Sequence, residues 1–183
     1  MKGFFTTKRL CRAGIIAALY AVLTYVFGAL SSQGVLQIRP AEALCVLPLF
    51  YAEAVPALFV GCVVANILSV YGIYDVLFGS LATLVGAILT YFVGKLFRHI
   101  ALKIAVGGIF PVLVNTFVVP LIIVFFSPDY DATSTTYWLY ALSIFLSETV
   151  WVYALGTPLA LFVRKMQQKG VSAFANGTKN CNT

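Results

Sequence analysis

The sequence predicts an all-α integral membrane protein with six transmembrane helices, the second one short, and both termini on the cytoplasmic side. Composition is the first reason: 61% of the residues are hydrophobic and 10% are charged, against roughly 25% charged in a soluble domain. The second is arrangement, because the apolar residues form long runs separated by short polar stretches. The third is where the cations lie. Lys and Arg form small clusters between the runs, as in cytoplasmic loops, and make no patch or stripe for nucleic acid despite a net charge of +6. The 183 residues suit one domain. We read residues 1–12 as a cytoplasmic N-terminus, 13–165 as the membrane domain and 166–183 as a disordered cytoplasmic tail.

Span one runs from Ala13 to Leu30. Lys2, Lys8, Arg9 and Arg12 before it, and Ala29-Leu30-Ser31 at its end, resemble a signal peptide. The apolar stretch is long for a signal and further spans follow, so an uncleaved span is the better reading. Pro40 suits the first position of a helix, where its missing N–H is no loss. The run from Ala41 to Tyr51 is too short to cross about 30 Å of hydrocarbon, so a partial or tilted helix is expected, with Glu53 at the turn. Span three covers Ala54 to Val70 and span four covers Asp75 to Val93, with Asp75 as an N-cap. Span five covers Ile104 to Phe126, with Pro111 and Pro120 inside it, and span six covers Tyr137 to Val163. With the N-terminus inside, the inner segments hold every Lys and Arg except Arg39, and the outer loops hold Asp75, Asp129 and Asp131.

Small residues recur four apart: Ala13, Ala17 and Ala21 in span one, and Ala57, Gly61, Ala65 and Ser69 in span three. Span four has Gly79, Thr83 and Ala87 beside Gly86, Thr90 and Gly94. Such stripes let helix backbones approach in lipid. They serve packing within the chain or, on span one, docking of a partner helix.

Ionisable groups inside spans are costly and mark function. Glu148 lies near the middle of span six, where insertion of a charge costs about 2.5–3.5 kcal/mol. Arg39 and Glu42 stand three apart at the outer mouth of span two and are able to pair with each other. Asp75, Asn66 and Asn115 complete the set. Most fall in the outer half of the bilayer, which implies a pocket opening outward. Phe78 and Trp151 supply aromatic faces nearby, and a carboxylate beside such faces suits a flat, nitrogen-rich ligand. Cys11, Cys45, Cys62 and Cys181 match no metal or redox spacing, and Cys45 and Cys62 read as small packing residues. No cofactor is expected. There is no G-x-x-x-x-G-K-[ST] phosphate loop, and no nucleophile–base constellation that would make the chain an enzyme.

Three stretches resemble the QueT family. They are Gln37-Ile38-Arg39-Pro40-Ala41-Glu42-Ala43-Leu44 followed by Leu47-Pro48; Gly61-Cys62 with Asn66; and Asp75-Val76-Leu77-Phe78-Gly79-Ser80-Leu81-Ala82-Thr83. The resemblance covers about residues 10 to 165, and Pro40 departs from the small or hydroxyl residue expected there. It implies a six-helix substrate-binding component of an energy-coupling factor transporter. Such a component captures a queuosine precursor, a 7-deazapurine, outside the cell membrane. Its partners would be a transmembrane coupling subunit and two cytosolic ATPases, with Ala13, Ala17 and Ala21 resembling the docking stripe. The alternatives are a component for another vitamin, such as riboflavin or folate, and a membrane scaffold with no small ligand.

Overall fold

The computed structural model describes residues 6–31, 39–67, 73–126, 134–171 and Phe174, and all regular structure among them is helical. Helix α1 spans Thr7–Ser31. A 3₁₀ helix, Pro40–Leu49, follows and is called the rod below. Then come α2 (Ala54–Asn66), a π-helical turn (Asp75–Gly79) leading into α3 (Ser80–Leu96), α4 (Ile100–Phe126), α5 (Ser134–Ala154) and α6 (Gly156–Gln168). Four stretches are long and apolar enough to cross a membrane: Thr7–Phe27, Asp75–Leu96, Ile100–Phe125 and Thr135–Gln168. The rod and α2 are shorter apolar helices. The chain is thus a multi-pass membrane protein; among the described residues it has four stretches of full spanning length, a short second element as expected, and α2, whose expected continuation to Val70 lies outside the described residues.

The rod forms the centre of the bundle, and all ten of its residues are buried. Pro40 starts it, and Pro48 stands within it without an amide hydrogen to donate. At about 2.0 Å of rise per residue, ten residues reach about 20 Å, against about 15 Å as an α-helix. A short sequence therefore covers much of the bilayer's depth. One side of the rod, through Leu44, Cys45 and Leu47, packs with Ile16 and Tyr20 of α1, Leu58 and Cys62 of α2, and Ala87 of α3. The other side, through Val46 and Leu49, packs with Val93, Ile104, Val112, Val152 and Ala160. Lipid supplies no hydrophobic drive between helices, so close fit does the work. A Cβ on Gly94 would stand 2.5 Å from the Leu49 carbonyl oxygen, and one on Gly61 would stand 2.8 Å from that of Ala17. Gly61 and Gly94 of the small-residue stripes therefore serve contacts within the chain, while Ser69 lies outside the described residues.

Proline 111 leaves the Gly107 carbonyl without its usual donor four residues on. The hydroxyl of Thr90, fully buried on α3, donates to that oxygen at 2.8 Å. A side chain on one helix thus repairs the ladder of its neighbour, as membrane helices require. Proline 158 has a different outcome. It cannot donate to Ala154, and the single span expected from Tyr137 to Val163 breaks at Leu155 into α5 and α6.

Other boundaries move as well. Helix α1 begins at Thr7, six residues before the expected span, because Lys8, Arg9 and Arg12 continue the helix out of the apolar run. Asp75 is no N-cap: Ile73 and Tyr74 before it are already helical. Helix α6 runs on to Gln168, and Phe174 of the expected tail packs against the core and accepts a hydrogen bond from the Tyr51 hydroxyl at 3.0 Å. Residues 175–183 of that tail lie outside the described residues.

Candidate functional site

Polar side chains from α1, the rod, α2, α3, α4 and α5 meet around the Pro40 end of the rod. Tyr20 and Ile16 are four apart and form the buried face of α1, at 3% and 5% exposure. The Tyr20 hydroxyl donates to Glu42 Oε1 at 2.8 Å. The Cys45 thiol, three residues after Glu42 on the rod, donates to Oε2 at 3.1 Å. Both oxygens of this buried carboxylate are therefore occupied. Below Tyr20, Cys62 Sγ lies 3.7 Å from its hydroxyl oxygen and 3.3 Å from the Thr83 hydroxyl, and it accepts from Asn66 Nδ2 at 3.4 Å. The same Asn66 amide donates to the Asp75 carbonyl at 2.9 Å, which ties the end of α2 to the π turn. The Asp75 carboxylate folds back over Gly79, where a Cβ would stand 2.7 Å from Oδ1.

Glu148 is different. It is fully buried on α5, and among the described residues neither of its oxygens has a hydrogen-bond partner. Arg39 Nη1 stands 3.8 Å from Oε1, close enough for an ion pair and long for a hydrogen bond. Asn115, buried on α4, is near enough to act on the carboxylate but lacks hydrogen-bond geometry. Glu42 and Asp75 act on the Arg39 guanidinium only at longer range, beyond ion-pair distance. A buried charge without donors is expensive. The two oxygens of Glu148 are acceptors that the described residues leave unused.

The structure thus brings together Glu148, Glu42, Arg39, Asn115, Asp75 and Asn66. It corrects the pairing of Arg39 with Glu42: the short side-chain partners of Glu42 are Tyr20 and Cys45, and Arg39 reaches Glu148 instead. Trp151 is half-buried on α5, and Phe78 is 45% exposed on the π turn. Sequence reasoning missed Tyr20 and Thr83 and treated both cysteines as packing alone. The spacing Glu42-x-x-Cys45, one turn apart, was the readable signal. On α1, Ala13, Ala17 and Ala21 are half-buried, and Ala17 backs onto Gly61. The exposed face beside them carries Gly14, Ile15, Ala18, Leu19 and Val22.

Among the described residues no group of His, Cys, Asp and Glu is placed to hold a metal ion. A carboxylate with unused oxygens is chemically able to accept hydrogen bonds from neighbouring N–H groups. Residues 10–165 match the family model described as QueT transporter. No curated protein and no solved structure matches the chain.

Proposed function

Because the chain belongs to the QueT transporter family, we propose that it is the substrate-capture subunit of an energy-coupling factor transporter for a queuosine precursor. The observation that carries this reading is the buried Glu148 carboxylate with both oxygens unused. A 7-deazaguanine presents N1–H and the exocyclic amine side by side, and one carboxylate accepts both. Glu42, held by Tyr20 and Cys45, is the weaker candidate for that role. Arg39 balances the charge, and Asn115 supplements the contact from α4. Asn66 and Asp75, which bond to each other through side chain and backbone, shape the wall. Trp151 or Phe78 stacks on the heterocycle.

In this scheme the basic end is cytoplasmic, which the positive-inside bias supports, and the carboxylate end opens outward. ATP hydrolysis belongs to two partner ATPases. The transmembrane coupling subunit docks along α1, where the stripe Ala13, Ala17 and Ala21 borders the uncovered face and Gly14 has open space around it. Calorimetric titration of the purified protein with the aminomethyl and nitrile 7-deazaguanines, queuine, riboflavin and folate tests the assignment. We expect saturable binding of a deazaguanine alone, weakened about tenfold or more by Glu148→Gln. Unchanged affinity in that variant would remove Glu148 from the site. Binding of none of the panel would favour a scaffold.

A further inference from the structure

A cavity of about 580 Å³ lies at the other end of the rod, lined by Leu49 and Phe50, within the roughly 300–1,000 Å³ of small-ligand sites. Five cations line it: Arg9 from α1, Lys95 from α3, Arg98 from the following connection, Lys103 from α4 and Arg164 from α6. Among the described residues none of the five has a carboxylate partner. The one carboxylate in the lining, Glu53, is bound to Arg12 at 2.6 Å. Like charges gathered from four helices repel unless something negative sits among them.

Two further features point to the same kind of occupant. The first turn of α4 opens on the cavity at Ile100, and the amides of a helix's first turn lack partners and favour anions. The amide nitrogen of Gln167, also in the lining, is buried; it is near enough to act on the Tyr51 hydroxyl but has no partner of hydrogen-bond geometry among the described residues. The surroundings identify the source of the anion. Lys95 and Lys103 sit where two spans end, next in sequence to Leu96 and Leu102, at 76% and 46% exposure, with Phe92 at 59%. Acyl chains would lie on these apolar side chains, and a soluble ion has no use for them. With this end cytoplasmic by the positive-inside bias, the cavity falls at the inner headgroup layer, where basic pockets between spans take anionic headgroups.

We propose that this cavity is a binding site for the phosphate headgroup of an anionic phospholipid of the inner leaflet, separate from the carboxylate site at the opposite end of the rod. The full-length protein in mild detergent is mixed with equal amounts of phosphatidylglycerol and phosphatidylcholine. Retained lipid is then read by native mass spectrometry. Phosphatidylglycerol should be strongly preferred. The triple change Arg98→Gln, Lys103→Gln and Arg164→Gln should reduce that preference about a hundredfold, each cation being worth roughly a factor of five near an anionic surface. The charge-retaining triple Arg98→Lys, Lys103→Arg and Arg164→Lys should keep it. If the neutral triple variant does not fold, the wild type answers alone, since its preference should fall steeply with added salt. Equal retention of the two lipids, a salt-independent preference or an unaffected triple variant would overturn the proposal. Displacement of the lipid by millimolar inorganic phosphate would overturn it in favour of a free-phosphate site. A triple variant that keeps the lipid preference but no longer co-purifies with its membrane partner would overturn it in favour of a protein contact.

Discussion

At the Pro40 end of the rod, Glu42 and Glu148 are 2% and 0% exposed, and each lies against a named polar neighbour. At the Leu49 end, Lys95, Arg98 and Arg164 are exposed, and among the described residues none of them is paired with a carboxylate. The same ten-residue element separates the two. Charge taken out of solvent must be balanced inside the protein, so its partners are part of the fold. Charge left at the surface contributes little to stability and is free to meet a ligand. The first kind ties stability and binding together; the second separates them.

Substitutions can break or sharpen that contrast. Arg39→Met should cost the most, about 3 kcal/mol, because it strands the Glu148 carboxylate; the value sits at the low end for buried pairs because the Arg39 side chain is 27% exposed. It would be read as a loss of thermal stability in detergent, and an unchanged melting temperature would mean that Glu148 is balanced by something else. Tyr20→Phe should cost about 2 kcal/mol by removing a hydrogen bond to a buried charge. A double-mutant cycle with Glu42→Gln isolates that coupling. Thr90→Val, between the two ends, should cost about 1.5 kcal/mol by leaving the Gly107 carbonyl orphaned. The loss should appear in chemical unfolding without altering substrate affinity. Arg98→Gln at the basic end should stay within about 0.5 kcal/mol of wild type. A large loss there would mean that the cavity's cations hold the bundle together.

Most of the fold was legible because lipid imposes a simple code: long apolar runs, short polar breaks and cations on one side. That code places α1, α3, α4 and the short second element. It does not show that the second element is central, since its burial depends on which helices surround it. Nor does it foresee that Pro111 is repaired by Thr90 while Pro158 splits a span, because the repair comes from another helix. The polar members of the site stood out as misfits in apolar runs. Their pairing did not, because Arg39 and Glu148 are far apart in sequence and Tyr20 passes as one more aromatic. Five cations from four helices and one connection likewise become a single cavity only after folding.

The hydroxyl of Thr90 has a mechanical consequence. It stands in for the peptide hydrogen that Pro111 lacks, so sliding α3 along α4 by even one turn would reopen an unpaired acceptor in an apolar interior. Such a slip is penalised at every step of a working cycle. A rearrangement that carries these two helices together as a single plank, with the give located elsewhere in the chain, is therefore favoured over one that slides them apart.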